Sequence, residues 1–198
     1  MADSDSVRVT PATVDDIDPV TDLWIALAEG QRAHGSTLLA EANRPAVREW
    51  VARSVVTSEV LVARDGEDST ADPIGFVGFA LDHGGYERDR TRGVVSNLFV
   101  VSGRRDEGIG ADLLDAAERA LREMGAEIVA LEALAANDGA RKFYAARGYE
   151  PNRVELTKML SAGGGEGGED GEDGEDGEGG DGGKDGDSTG VGDGDRSA

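Results

Sequence analysis

The stretch Val94-Val-Ser-Asn-Leu-Phe-Val-Val101-Ser-Gly-Arg-Arg105-Asp-Glu-Gly108-Ile-Gly110-Ala111 decides the fold, because it joins an apolar strand to a helix through a glycine-bearing turn. Gly108 and Gly110 leave no Cβ in the way of a bound group. The helix that follows offers unpaired N–H groups and the positive end of its dipole. This arrangement predicts a site for a phosphate or another anion; the alternative is that the glycines serve only the turn.

Two common nucleotide-binding patterns do not fit this stretch. A dinucleotide-binding G-x-G-x-x-G turn would need a third glycine at position 113, which is Leu113. A Walker A loop would need Gly-Lys followed by Ser or Thr, which the sequence does not contain. The stretch therefore predicts an anion site of another type.

The charge of the chain falls into two parts. From Ala162 onward there are 13 acidic residues against Lys184 and Arg196, a net charge of −11, which leaves −10 of the total −21 for residues 1–161. Such an acidic surface repels nucleic acid and anionic lipid. The composition resembles that of halophilic archaeal proteins, whose self-repulsion is screened in molar salt. The alternative is an ordinary acidic protein.

Composition also bounds location and chemistry. The chain has no cysteine and only two isolated histidines, so we expect no disulfide, no thiol catalysis and no metal site. The N-terminus lacks the pattern of a secretory signal, and no run approaches the roughly 18 apolar residues of a membrane helix. We expect a cytoplasmic protein with a domain at 1–161 and a disordered Gly/Asp/Glu tail at 162–198.

Strands and helices alternate late in the chain, whereas strands pair as hairpins early. This order predicts an α/β (α+β) domain with a mixed sheet and helices on both faces. Thr13-Val-Asp-Asp16 is typical of a capping box at the start of the first helix. Tyr149-Glu150, a turn at Pro151-Asn152, and Val154 to Leu160 predict a closing hairpin.

Two stretches carry a resemblance to a known family. Leu98 to Gly110 resembles motif A of the GCN5-related N-acetyltransferase (GNAT) family, a strand followed by Arg/Gln-x-x-Gly-x-Gly/Ala. Leu131-Glu-Ala-Leu-Ala-Ala-Asn137-Asp-Gly-Ala140-Arg-Lys-Phe-Tyr144-Ala-Ala-Arg-Gly148-Tyr149 resembles motif B. The resemblance covers residues 7–160. It implies a mostly antiparallel sheet of six to seven strands with about four helices, splayed where acyl-CoA binds.

The resemblance also implies which residues bind the co-substrate acetyl-CoA. In the family, the strand equivalent to Leu98, Phe99 and Val100 pairs with the pantetheine arm, which Asn137 also contacts. The pyrophosphate binds backbone N–H groups of the turn, here Arg105, Asp106, Glu107, Gly108, Ile109, Gly110 and Ala111. The family commonly has Gly and a basic residue at positions 106 and 107. The two carboxylates here predict weak affinity for CoA in dilute buffer.

Acyl transfer to an amine needs an acid for the leaving thiolate and a base for the ammonium. Tyr144 is the candidate acid, two helical turns after Asn137 on the same face; packing against the sheet is its alternative role. Glu132 is the candidate base. The alternative is that it is an edge or solvent-facing glutamate without a catalytic role, in which case a water relay from Ser96 or Asn97 would take the ammonium proton. The Glu132…Tyr144 spacing resembles the ribosomal-protein N-terminal alanine acetyltransferase branch.

The sequence thus favours an acyl-CoA-dependent N-acetyltransferase acting by direct attack on a primary amine, including a protein or peptide N-terminal amine. The acidic surface favours a cationic acceptor. Trp24 and Tyr86 are candidates to line its groove, and packing in the core or on the surface is the alternative role of each. Two alternatives remain open: an N-acetyltransferase of small-molecule amines, and a non-catalytic acyl-CoA-binding module. Whether the protein is a monomer or a homodimer stays undecided.

Overall fold

The computed structural model describes residues 7–66 and 70–160. The helices and strands, in chain order, are β1 (Val7–Pro11), α1 (Ile17–Gln31), α2 (Arg44–Val56), β2 (Val60–Asp65), β3 (Gly75–Leu81), β4 (Arg92–Val100), α3 (Ile109–Glu123), β5 (Ile128–Leu131) and α4 (Asp138–Ala145). Contacts divide the chain into two units after Asn152. The strands and helices all belong to the first unit.

The strands form one mixed sheet in the order β1-β2-β3-β4-β5. The first three neighbouring pairs are antiparallel, and β4 and β5 are parallel. The predicted mixed, mostly antiparallel sheet is confirmed. Among the described residues, none of the helices combines the length and apolar character needed to cross a membrane.

Each face of the sheet carries its own core. Leu61 and Val77 point to a core shared with α3, whereas Val62 and Phe76 point to a second core shared with α1 and α2. The alternation follows from the two-residue period of a strand. Helices therefore cover both faces, as the sequence predicts. A side chain of β4 that joins the α3 core lies on one face, and one that joins the α1/α2 core lies on the other.

The predicted strand count is wrong: the described residues form five strands rather than six to seven. Residues 151–160 have no regular secondary structure, and Val154, Leu156 and Leu160 are exposed. Their alternation satisfies a strand pattern, but a strand needs a hydrogen-bonded partner to be stable. The closing hairpin is therefore not formed. The tail predicted from residue 162 lies outside the described residues.

A buried ion pair ties the start of α1 to the sheet. Asp16, the last residue of a 3₁₀ turn before α1, accepts hydrogen bonds from the Thr13 N–H at 2.7 Å and the Thr13 hydroxyl at 3.0 Å. Its other oxygen pairs with Arg64 of β2, and both side chains are less than 10% exposed. Arg64 also donates to the Ala71 carbonyl at 2.7 Å. The predicted capping residues thus belong to a network that links the start of α1 to β2 and to the loop before β3.

Replacing Asp16 by alanine should lower the free energy of unfolding by about 3–5 kcal/mol, because it leaves the Arg64 guanidinium buried and unpaired. Urea unfolding followed by circular dichroism measures the change. Asp18→Ala is the matched control, since Asp18 pairs with Arg48 on an exposed surface and such pairs contribute little. Equal losses for the two variants would contradict the role given to the buried pair.

Candidate active site

A gap opens between β4 and β5. The two strands pair only from Arg92 with Ile128 to Val95 with Leu131, although β4 continues to Val100. Along the other edge, the Val101 N–H donates to the Ile74 carbonyl. Since strand residues alternate in direction, the backbone groups of Leu98 and Val100 face away from β3 and into the gap.

The predicted co-substrate strand therefore presents two of its three residues to the gap. The backbone of Phe99 instead faces β3, opposite Phe76, and its side chain is buried in the α1/α2 core. The carbonyl of Val100 accepts from Arg105 Nε at 3.2 Å. Arg105 also lies over the Phe99 ring, with its guanidinium carbon 5.7 Å from the centroid.

The glycine turn presents a row of unused N–H groups. A 3₁₀ turn at Ser102–Arg104 is followed by two left-handed residues, Asp106 at φ +65° and Gly108 at φ +87°, and α3 then begins. Within the described part of the chain, the N–H groups of residues 106–110 have no hydrogen-bond acceptor. Those of Ala111 and Asp112 donate to the Gly108 carbonyl. Five consecutive free donors at a helix N-terminus suit an anion.

Gly108 has a positive φ, whereas Gly110 does not, so alanine should have different effects at the two positions. Gly108→Ala should lower the free energy of unfolding by about 1–2 kcal/mol, because a Cβ is strained at positive φ. At Gly110 an added Cβ would lie 3.7 Å from the nearest atom of Phe143, an ordinary contact, so Gly110→Ala should be tolerated. Thermal unfolding of both variants tests this. A larger loss at Gly110 would refute the description of the turn.

The two carboxylates of the turn are not equivalent. Glu107 is held by Arg104 Nε at 2.8 Å, and the same guanidinium pairs with Asp65 of β2. Hydrogen bonds to Asp65 and then Glu107 raise the pKa of Arg104. Asp106 has no ion pair among the described residues. The charge of Glu107 is thus partly compensated by a guanidinium that it shares with Asp65, whereas Asp106 has no paired cation among the described residues.

Helix α4 lies beside the glycine turn. Its N-cap residue Asn137 accepts the Ala140 N–H at 3.0 Å through its side chain. Tyr144 follows two turns later, half-buried, with ring contacts to Phe143 at 5.2 Å and Tyr149 at 5.8 Å between centroids. Burial raises the pKa of the Tyr144 hydroxyl. That hydroxyl has no hydrogen-bond partner in residues 7–66 and 70–160.

Glu132 directly follows the last residue of β5 and is exposed. Val129 and Leu131 pack against the α3 core, so the alternation of the strand directs Glu132 to the opposite face, toward α1 and α2. Its carboxylate has no ion pair among the described residues. The two candidate catalytic residues thus lie on opposite faces of the sheet, Tyr144 with the α3 core and Glu132 on the other side.

A bulge in β4 adds a feature that the sequence analysis did not locate. The β3–β4 register shifts between Gly78 and Phe79, so that one residue of β4 is extra. Trp24 of α1 donates its indole N–H to Asn97 Oδ1 at 3.0 Å, and Asn97 donates to Ser96 Oγ at 3.2 Å. The only sequence signal is the polar Ser-Asn pair inside an apolar strand.

Neither a set of metal ligands nor the cavity beside α4 points to another candidate site among the described residues. In the described ranges, no group of three or more His, Asp or Glu side chains is placed to hold a metal. A cavity of about 400 Å³ lies between α3 and α4, lined by Asp115, Glu118, Phe143, Ala146 and Arg147. It contains none of the predicted site residues, so the gap between β4 and β5 is the better candidate site.

Comparison with known proteins identifies the class of this fold and site. The model of the acetyltransferase (GNAT) family matches residues 23–149. No match was found among curated protein sequences. The chain belongs to the GNAT family, whose members transfer an acetyl group from acetyl-CoA to amines.

Solved structures share the fold. A GCN5-related N-acetyltransferase from Ralstonia eutropha JMP134 is 23% identical with a TM-score of 0.61, over 79% of this chain and all of that one. An aminoglycoside N-acetyltransferase in complex with CoA is 14% identical with a TM-score of 0.63, over 82% of this chain and 99% of that one. A chain of the NatC complex bound to Gag peptide and CoA is 20% identical with a TM-score of 0.54, over 72% of this chain and 83% of that one.

Proposed function

We propose that this protein transfers the acetyl group of acetyl-CoA to a cationic primary amine by direct attack. The observation that carries the proposal is the gap between β4 and β5, which ends beside the row of free N–H groups at residues 106–110. The pyrophosphate fits the N–H groups, and the pantetheine arm runs along Leu98 and Val100 toward Asn97. Arg105 lies at the junction of the two segments, and Asn137 contacts the arm from α4.

The two faces of the sheet divide the chemistry. The amine approaches from the α1/α2 side, where Glu132 takes the ammonium proton, since only the neutral amine attacks. Its nitrogen then bonds to the thioester carbon and the C–S bond breaks. Tyr144, on the α3 side, gives its proton to the departing thiolate, and the tyrosinate regains a proton as the new amide nitrogen loses its second one. Burial raises the pKa of this hydroxyl, so it is protonated at neutral pH and has a proton to give.

The acceptor amine belongs to one of two classes. A peptide N-terminal amine is favoured by the Glu132…Tyr144 spacing, which resembles the ribosomal-protein N-terminal alanine acetyltransferase branch. A small-molecule amine is the alternative. Two similar structures, one bound to a Gag peptide and one of an aminoglycoside N-acetyltransferase, illustrate both possibilities for the fold. Cytoplasmic location and the non-catalytic binding role stay predictions.

An amine panel with thiol detection tests the function. Peptides with free N-termini, lysine, polyamines and aminoglycosides are each incubated with acetyl-CoA, and free CoA is followed with a thiol reagent. Acetylated product, with CoA release dependent on the amine, is expected for at least one cationic class. Saturable acetyl-CoA binding without transfer to any amine would instead favour the non-catalytic acyl-CoA-binding module.

Salt should govern co-substrate affinity through Asp106. Asp106→Asn removes the uncompensated charge, and Asn tolerates the left-handed backbone. We expect acetyl-CoA to bind roughly 2- to 5-fold more tightly in dilute buffer, with no gain in molar KCl, where the Debye length is about 3 Å. Calorimetric titration at both salt concentrations measures this.

Glu107→Gln serves as the comparison for that experiment. It should change affinity less, because Arg104 already compensates part of the charge of this carboxylate. A larger effect at Glu107, or a gain that persists in molar salt, would contradict the assignment of charges. The proposal that the acidic composition is an adaptation to molar salt has a separate test: stability should rise with KCl concentration, and a protein fully stable in dilute buffer would count against it.

A further inference from the structure

The bulge in β4 places two polar side chains next to each other on one face. Val95 and Leu98 both join the core under α3, although three steps along a regular strand would put them on opposite faces. The extra residue lies between them, so Ser96 and Asn97 both face α1 and α2. The bulge directly follows Val95, the last residue of β4 that pairs with β5. It therefore marks the point where the gap opens.

Hydrogen-bond chemistry fixes the orientation of these groups. An indole N–H can only donate, so the Trp24 contact sets Asn97 Oδ1 toward α1 and turns its NH₂ toward Ser96. The Ser96 hydroxyl accepts that bond and donates to the Gly78 carbonyl at 3.2 Å. One lone pair of Ser96 and one N–H of Asn97 remain without a partner in the described residues. Ser96 is exposed, so both groups are open to a ligand.

Two half-buried indoles, which also pack against the α1/α2 core, adjoin these open groups. The Trp50 ring lies against the backbone of Gly78, where an added Cβ would stand 2.7 Å from the ring and 3.1 Å from Ser96 Oγ. Indole faces attract cations. Within the described chain, neither Trp24 nor Trp50 has a cation over its ring.

The nearby arginines are engaged elsewhere. On α2, three arginines are each held by carboxylates: Arg44 by Asp22 and Glu41, Arg48 by Asp18, and Arg53 by Glu49. None of these three arginines of α2 is left unpaired to attract a carboxylate of the acceptor. Residues 1–161 carry a net charge of −10, so this surface attracts an ammonium group and repels a carboxylate.

We propose that Trp24, Trp50, Ser96 and Asn97, here called the bulge cluster, bind the ammonium group of the acceptor. Ser96 accepts an N–H of the amine, Asn97 donates to a neighbouring carbonyl, and the indole faces stabilise the positive charge. An amine with a carboxylate on the adjacent carbon is disfavoured, whereas one with an amide there fits. The site therefore selects peptide-like amines over free amino acids. This inference rests on the proposed function, whose acceptor class it names.

Fluorescence can test the bulge cluster independently of turnover. The chain has only two tryptophans, and both belong to the cluster. Glycinamide is titrated into the full-length protein saturated with CoA, which lacks the acetyl group and permits no transfer, and tryptophan emission is followed. Glycine, which differs by a carboxylate in place of the amide, is the matched ligand. We expect saturable quenching with glycinamide at concentrations roughly tenfold or more below those needed for glycine.

Two substitutions separate ligand binding from folding. Ser96→Ala should raise the Kd for glycinamide roughly tenfold, through loss of a hydrogen bond to a charged group. Trp50→Leu should raise it roughly 2- to 30-fold by removing an indole face. Both variants should keep the wild-type Kd for CoA. Thr91→Ala, an exposed hydroxyl residue just before the same strand, should match wild type in both titrations.

The outcomes distinguish ligand binding by the bulge cluster from a structural role of Ser96 and from failure of the proposed function. Weaker glycinamide binding with unchanged CoA binding supports the bulge cluster, whether or not acetyl transfer is detected. Unchanged glycinamide binding in Ser96→Ala and Trp50→Leu overturns it, as does equal affinity of wild type for glycine and glycinamide. Parallel loss of glycinamide and CoA binding in Ser96→Ala, an exposed position, also overturns it in favour of a structural role. Absence of turnover in wild type counts against the proposed function alone.

Discussion

Phenylalanine in place of Tyr144 is expected to lower kcat/KM roughly 10²-fold or more, because general acid catalysis of thiolate departure is lost. The substitution removes one oxygen and keeps the ring that packs edge-on against Phe143 and Tyr149. Since the hydroxyl has no hydrogen-bond partner among the described residues, its removal should leave the fold intact. The Kd for acetyl-CoA should stay near its wild-type value, so that the loss lies in kcat.

The pH profile gives the Tyr144 prediction a second readout. Burial raises the pKa of this hydroxyl above its ordinary value of about 10. The acid form therefore persists through neutral and moderately alkaline pH, and activity from this group should fall only as pH rises past that raised pKa. The Phe variant should lack this alkaline decline. Near-wild-type rates, or an unchanged alkaline limb, would remove Tyr144 from the mechanism.

Glutamine in place of Glu132 is the second substitution with a large expected effect, a loss of roughly 10²-fold or more in kcat/KM. The variant cannot take the ammonium proton, so it depends on amine that is already neutral in solution. The deficit should therefore shrink as pH approaches the pKa of the acceptor amine. Steady-state rates of wild type and variant, measured from neutral to alkaline pH, test both the size and the trend.

Glu123→Gln is the control for this experiment, because Glu123 is also exposed but lies at the end of α3. It should retain wild-type kinetics. A Glu132→Gln enzyme with wild-type rates at neutral pH would transfer the base role to the fallback, a water held by Ser96 or Asn97. A deficit that is constant across pH would indicate a positional effect of the carboxylate rather than proton removal.

Local patterns made the glycine turn and α4 predictable. A left-handed Gly108 before a helix, and an Asn137 cap before α4, each depend on a few neighbouring residues. The two cores also follow directly from the alternation of β2 and β3. Such features carry their signal in the sequence because the interactions that fix them are short in sequence separation.

Long-range features escaped prediction for the converse reason. The bulge at Ser96 depends on the register between β3 and β4, and the position of Arg104 depends on its pair with Asp65 of β2. Neither contact is encoded in a local pattern, whereas the Arg104–Glu107 pair spans only three residues. Residues 154–160 show the opposite error: their alternation meets the requirement for a strand, but no strand pairing forms.

Binding of acetyl-CoA to the full-length protein tests the central claim most directly. Calorimetric titration in molar KCl should give saturable binding to one site, and acetyl-pantetheine, which lacks the pyrophosphate, should bind at least roughly 10²-fold more weakly if the N–H groups of residues 106–110 hold the phosphates. No binding of acetyl-CoA up to roughly millimolar concentration, with the protein shown to be folded, would contradict the account. Equal affinity for the two ligands would mean that the glycine turn is not the phosphate site.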